Sequence, residues 1–198
     1  MTGAGFLDEP EPSQAVEAMY DADRDDPGYV MNLTRVWAHA PEVNDAWTAF
    51  TVAAARAAGL SLRDKGIVVS ALAAELGDAY CSFAWGARLA TATDPGTARA
   101  VLEGDASSAP LDERERLLAA WARRLVRDPN GATADDVAAL RAAGLDDRAI
   151  LGLSAYVAAR IAFSTVNDAL GAVPDDDLRA SAPAEVRDAI TWGRAPAS

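Results

Sequence analysis

Helix stop and start signals divide this alanine-rich chain, and they constrain its fold more than any other feature. Gly77 follows an apolar helical segment and is expected to end it in the left-handed conformation, and Asp78 is a good N-cap for the next helix. Similar caps and glycine stops recur along the chain. Val and Ile are scattered singly, without the alternation that a strand requires. The chain is therefore predicted to be all-α.

Length and composition indicate one domain. A chain of 198 residues can bury a sizeable core. Residues 1–12 are rich in Gly, Pro and acidic residues and are predicted to form a flexible tail, and residues 13–198 a single helical domain. No apolar run approaches the ~20 residues of a membrane span. The N-terminus lacks the pattern of a signal peptide, so no membrane partner and a cytoplasmic location are expected.

Charge and composition exclude several functions. The net charge of −12 argues against nucleic acid as a partner, because phosphate binding needs clustered Lys and Arg. One histidine and one cysteine leave little for a transition-metal site, and we expect neither a metal nor another cofactor. The single cysteine also excludes any intrachain disulfide.

Cys81 is the candidate nucleophile. It would be the third residue of the helix that follows Asp78, where backbone N–H groups and the helix dipole favour a thiolate. The alternative is a small buried hydrophobe. Asp78 either caps the helix only, in which case its charge raises the pKa of the thiol, or acts as the base that takes the thiol proton.

The segment LRDKGIVVSALAAELGDAYCSFAWGARLA, residues 62–90, resembles the carboxymuconolactone decarboxylase / alkyl hydroperoxidase D superfamily. The segment YVMNLTRVWAHAPEV is similar to the entry segment of its peroxidase-related branch. With a matching stretch near the C-terminus, the resemblance covers about residues 28–175. It implies an orthogonal multi-helix bundle that assembles into a homo-oligomer, and a small-molecule substrate.

The catalytic motif of that superfamily is degenerate here. The motif is a glutamate, then Cys-x-x-Cys-x-x-x-His about one helix later. Alignment on the second cysteine places Gly66, Asp78, Cys81 and Trp85 at its four positions. The resemblance thus implies that Cys81 is the peroxidatic position, whereas Trp85 cannot shuttle protons as a histidine does.

Five residues are candidates for binding or for proton transfer. Trp85 and Tyr80 are expected to line a pocket, although core packing also explains a tryptophan there. Gly66 lacks a side chain either for close helix packing or to leave space for a ligand. Glu75 is a surface residue or a replacement acid/base. His39 would have to reach Cys81 across the fold to form a dyad.

Three functions follow from these residues. The first is an alkyl hydroperoxidase D-like oxidoreductase that uses Cys81 alone, with its sulfenic acid resolved by an external thiol reductant. The second is a non-redox enzyme that acts on a small lactone or carboxylate, with Asp78 or Glu75 as acid/base. The third is a non-catalytic oligomer that kept the fold and lost the site.

Overall fold

The computed structural model describes residues 5–105 and 108–195, which form eleven α-helices and one 3₁₀ turn, Pro129–Gly131, without any strand. The α-helices are α1 Gln14–Asp25, α2 Asn32–Trp37, α3 Pro41–Ala57, α4 Leu62–Leu76, α5 Ala79–Ala92, α6 Pro95–Glu103, α7 Glu113–Arg127, α8 Ala134–Ala142, α9 Asp147–Ala169, α10 Asp176–Ser181 and α11 Ala184–Ala189. The all-α prediction is confirmed.

The helix ends follow the local signals in the sequence. Ser61 and Asp64 form a reciprocal capping box at the start of α4. Gly77 ends α4 with φ of +76°, a conformation that costs little only for glycine. The side chain of Asp78 accepts from the backbone N–H of Cys81 and caps α5. The turn between α4 and α5 therefore consists only of the two capping residues, Gly77 and Asp78, which determine where α5 begins.

Helix α4 is the centre of the core. The side chains of Ile67, Val68, Val69 and Leu72 are all fully buried, although they point to different sides of the helix. A helix that is apolar on every face must be surrounded. Helices α5, α6, α7 and α9 pack around α4 and provide that cover.

The first turn of α4 departs from the predicted apolar face. The helical spacing of Leu62, Val69 and Leu72 predicts that they share one face, but the side chain of Leu62 is 62% exposed. This turn reaches the surface, where Arg63 and Asp64 pair with acidic and basic partners on α7. The apolar face therefore begins one turn later than the spacing indicates.

Helix α9 is the longest helix and the second core element. By length and composition it could cross a membrane, which the sequence analysis did not expect of any segment. Its place is that of a core helix in a soluble protein, because half of its apolar window is buried and it packs on α3, α4 and α7. A Cβ added to Gly152 would lie 2.5 Å from the backbone nitrogen of Ala58, so α3 and α9 meet backbone to backbone.

The C-terminal segment crosses the junction between α4 and α5. The sequence over residues 183–192 predicts one terminal helix, whereas α11 covers only Ala184–Ala189 and is preceded by α10. Trp192 donates from its indole Nε1 to Ser82 Oγ at 3.3 Å. A Cβ on Gly193 would lie 2.5 Å from the carbonyl oxygen of Gly77, so the chain passes directly over the turn.

The N-terminal segment contacts the body of the domain. Residues 1–4 of the predicted tail lie outside the described residues. Further along, the backbone N–H of Phe6 donates to the carbonyl of Leu170 at 2.7 Å. The carboxylate of Glu9 accepts from Tyr20 and from Arg35. These contacts hold residues 6–9 against α1, α2 and the end of α9.

Candidate functional site

A cavity of about 860 Å³ lies beside the first turns of α5. Tyr80, Cys81 and Trp85 of α5 form one wall, and Arg160 and Phe163 of α9 form another. Other lining residues are exposed and stand at its mouth, among them Pro27, Gly28, Arg88, Asp177 and Ser181. A cavity of this size accommodates a small organic ligand.

Cys81 occupies the predicted place at the start of α5, and it is deeply buried. Its residue is only 2% exposed, although it lines the cavity. Its backbone N–H donates to Asp78 Oδ1 at 2.9 Å. The other carboxyl oxygen of Asp78, Oδ2, is buried and has no hydrogen-bond partner among the described residues. The cap and the thiol are thus brought together as the sequence predicted.

Two residues of α9 contact the sulfur of Cys81, and the sequence analysis did not identify either of them. Arg160 donates from Nη2 to Cys81 Sγ at 3.3 Å, and Ser164 donates from Oγ at 3.8 Å. The two are one helical turn apart, so they present their donors on the same face of α9. The available signal in the sequence was an isolated arginine inside an otherwise apolar helical pattern.

The thiol of Cys81 is not activated at rest. Burial raises its pKa to about 12, and the charge of Asp78 acts in the same direction. Arg160 and Ser164 act in the opposite direction and do not outweigh burial. The helix dipole at the start of α5 therefore does not produce a thiolate, because desolvation of the charged form has the larger effect on the thiol pKa.

Aromatic rings enclose the guanidinium of Arg160. Its Cζ lies 4.9 Å from the ring centroid of Phe163, 5.4 Å from that of Trp85 and 5.5 Å from that of Trp47. The residue is 6% exposed, and its Nε has no hydrogen-bond partner in the part of the chain that the structure describes. Cation–π contacts therefore supply much of what holds this charge in the interior.

Tyr80 and Trp85 both line the cavity, as the sequence analysis expected. The hydroxyl of Tyr80 donates to the carboxylate of Asp175 in the segment before α10. Burial and this carboxylate raise the pKa of Tyr80 far above its ordinary value, so the phenol stays protonated. Tyr80 thereby ties the wall of the cavity to the segment at its mouth.

Gly66 does not contribute to the cavity. A Cβ added there would lie 3.1 Å from the Cβ of Leu89 on α5, tighter than ordinary packing. Of the two explanations for this glycine, close helix packing is the one that the structure supports. The α4–α5 crossing therefore occupies the place where a ligand or a glutamate side chain would need space.

Glu75 lies in a separate groove of about 790 Å³ between α4, α6 and α7. Its carboxylate accepts from Arg123 and Arg127, and these hydrogen bonds hold its pKa below the usual range. The structure therefore does not bring Glu75 to Cys81. His39 is also remote, because its ring Nε2 lies 2.9 Å from the carbonyl oxygen of Asp8 at the surface.

A second carboxyl, that of Asp168 on α9, is electrostatically coupled to Asp78. Burial raises its pKa to about 6, the charge of Asp78 adds to the effect, and Arg194 opposes it. Arg194 also donates from Nη2 to the backbone carbonyl of Asp168 at 3.0 Å. Arg194 thus attaches the C-terminal segment to α9 at Asp168.

The described residues contain no group of three or more His, Cys, Asp or Glu side chains arranged to hold a metal ion. The side chains around the cavity offer one thiol, two guanidiniums, one carboxylate, one aliphatic hydroxyl, two phenols and other aromatic rings. Such a set suits binding of an organic molecule and chemistry at sulfur.

Comparison with known proteins identifies the fold. No family model and no curated protein matches the chain. The structure is similar to that of an alkylhydroperoxidase AhpD core, an uncharacterized peroxidase-related protein from Ralstonia eutropha JMP134, with 22% identity and a TM-score of 0.77. That match covers 90% of this chain and 96% of the other.

A second solved structure agrees. It is an uncharacterized peroxidase-related protein from Silicibacter sp. TM1040, with 21% identity, a TM-score of 0.75, and coverage of 88% of this chain and 94% of the other. The alkyl hydroperoxidase D-like fold, which the sequence resemblance implied, is confirmed.

The raised pKa of Cys81 predicts how its reactivity depends on pH. Only the thiolate reacts with iodoacetamide, so the alkylation rate constant should rise about tenfold per pH unit from about pH 7 to about pH 10. In urea-unfolded protein the alkylation rate constant should level off once the pH exceeds the ordinary thiol pKa of ~8.5. Mass spectrometry of the alkylated protein measures both. A plateau below about pH 9 in the folded protein would show that the thiol is activated.

Asp78→Asn should speed alkylation of Cys81 at pH 8. Asparagine caps a helix as well as aspartate does, and its neutral side chain removes one cause of the raised pKa. Asp94→Asn is the matched control, because Asp94 caps α6 in the same way and lies outside the cavity. Slower alkylation in Asp78→Asn, with the control unchanged, would mean that Asp78 serves as the base.

Proposed function

We propose that this chain is an alkyl hydroperoxidase D-like oxidoreductase that reduces a hydroperoxide at Cys81. The observation that carries the proposal is the pair of donors on α9. Arg160 and Ser164 both direct hydrogen bonds at Cys81 Sγ in the wall of a cavity large enough for an organic substrate. The solved structures that share this fold are described as peroxidase-related, which supports the assignment to this superfamily.

The reaction needs one thiol and one external reductant. The thiolate of Cys81 attacks the terminal oxygen of the hydroperoxide, the O–O bond breaks, and the alkoxide takes a proton and leaves as the alcohol. The sulfur becomes a sulfenic acid. An external thiol then condenses with it, releasing water and leaving a mixed disulfide. A second external thiol restores Cys81, because the chain has no other cysteine to resolve it.

Arg160 has a defined role in this step. Negative charge moves from sulfur to the leaving oxygen during O–O cleavage, and a guanidinium 3.3 Å from the sulfur stabilises both positions. Ser164 adds a second donor to the sulfur. Trp85 shapes the cavity and cannot relay a proton, so the alkoxide has to take its proton from elsewhere.

The raised pKa limits the rate near neutral pH. With a thiol pKa of about 12, only a very small fraction of Cys81 is ionised at rest. We therefore expect slow turnover that increases with pH. A substrate or reductant that displaces water from the cavity desolvates the thiol further, so its effect on the thiol pKa combines that desolvation with its contacts to Arg160, Ser164 and Asp78.

Cys81→Ser should abolish peroxide consumption. The assay follows loss of cumene hydroperoxide in the presence of excess dithiothreitol, corrected for the rate without protein. Glu185→Gln is the control, because Glu185 is exposed and lies outside the cavity, and it should leave the rate within about 2-fold, the size of effect ordinary for a surface change. Turnover that survives in Cys81→Ser would exclude this function.

The proposal also includes the cellular location and the oligomeric state of the protein. We infer that the protein acts in the cytoplasm, where thiol reductants are abundant. We also infer a homo-oligomer, because α3 presents an apolar stripe to solvent. Val43 and Phe50 are 52% and 53% exposed, and with the exposed Ala46 and Ala53 they recur at spacings of three and four. A second copy of this chain would cover that stripe.

Phe50→Asp should lower the oligomeric state. The substitution places a charge in the centre of the stripe, where burial against another subunit would be costly. Light scattering coupled to gel filtration measures the mass. Thr48→Asp, on the same helix but off the stripe, is the control and should leave the mass unchanged. A monomeric wild-type protein would rule out the oligomer.

A further inference from the structure

We propose that the cavity binds an organic anion, a small carboxylate with a flat apolar body whose carboxylate pairs with Arg160. The inference names the substrate class for the chemistry at Cys81 and rests on the proposed function to that extent. The binding itself needs only the cavity and the guanidinium.

The charge of Arg160 is the first step in the argument. The residue is 6% exposed, and none of the described Asp or Glu side chains forms an ion pair with it. A buried cation without a counter-ion is costly, and buried charges are ordinarily paired. Arginines elsewhere in the chain that reach the interior are paired, as Arg123 is with Glu75.

The unused donors of Arg160 are the second step. Nη2 donates to the sulfur of Cys81, and Nε is buried without a partner. The aromatic rings of Trp47, Trp85 and Phe163 lie within 5.5 Å of Cζ and attract the cation, but they offer no oxygen acceptor to its N–H donors. In-plane N–H groups are what a carboxylate uses, since the two groups match in a bidentate arrangement.

The walls of the cavity specify the rest of the ligand. Trp47, Trp85 and Phe163 line the cavity around the guanidinium, so the part of the ligand nearest its carboxylate would lie against aromatic rings. Flat apolar groups gain the most from such surfaces. At the mouth, the negative charge of Asp177 and the positive charge of Arg88 act in opposite directions on an entering anion. The preference of the cavity for an anion therefore depends on Arg160.

Two probes separate charge from shape. Benzoate and benzamide have nearly the same size and ring, and only benzoate carries a charge. Isothermal titration calorimetry of the full-length protein should show benzoate binding at least about 10-fold tighter than benzamide, the ordinary gain from a hydrogen bond to a charged group. Absent benzoate binding, or equal affinity for the two probes, would overturn the proposal.

Variants locate the site. Arg160→Gln should remove the preference for benzoate, and Arg160→Lys should retain part of it. Arg56→Gln should keep the full preference, because Arg56 is exposed and lies outside the cavity. A preference that survives in a folded Arg160→Gln protein overturns the assignment to Arg160. If that variant does not fold, Arg160→Lys decides, since a preference as large as in the wild type would overturn it.

One further variant distinguishes this inference from the proposed function. Cys81→Ala should consume no hydroperoxide and should still bind benzoate more tightly than benzamide. Loss of turnover with intact binding supports both proposals. Wild-type protein that binds benzoate without consuming hydroperoxide would contradict the redox function and support the anion site. Turnover of hydroperoxide without benzoate binding would contradict the anion site and support the redox function.

Discussion

Burial of α4 on every face is the constraint on which the rest of the structure depends. The helix has apolar side chains all round, and it is stable only when α5, α6, α7 and α9 surround it. Only Gly77 and Asp78 then separate the end of α4 from the start of α5. Cys81 is placed by that short turn against α9, and so the geometry of the site is a result of how the core is covered.

The helices and their caps could be predicted because capping acts between residues three or four positions apart. The surroundings of Cys81 could not. Arg160 and Ser164 lie 79 and 83 positions away along the chain, and only the α5–α9 packing brings them to the sulfur. Gly66 shows the same limit, since the sequence leaves two explanations for it and the distance to Leu89 decides between them.

The site contains opposing charge effects in a small volume. Arg160 would make Cys81 a better nucleophile, and burial together with Asp78 keeps it a thiol. Because burial dominates, the electrostatic balance depends on water in the cavity and on anything that replaces it. The same guanidinium that contacts the sulfur is held by aromatic rings instead of a carboxylate, so its charge remains available to a molecule that enters.

The contact between Gly66 and Leu89 couples these two positions energetically. Any side chain at position 66 would place its Cβ 3.1 Å from that of Leu89. A smaller residue at 89 alone would leave a void in the core. The effect of a side chain at 66 on the free energy of unfolding therefore depends on which residue stands at 89. The effects of substitutions at the two positions should not add, as they do for residues that are far apart.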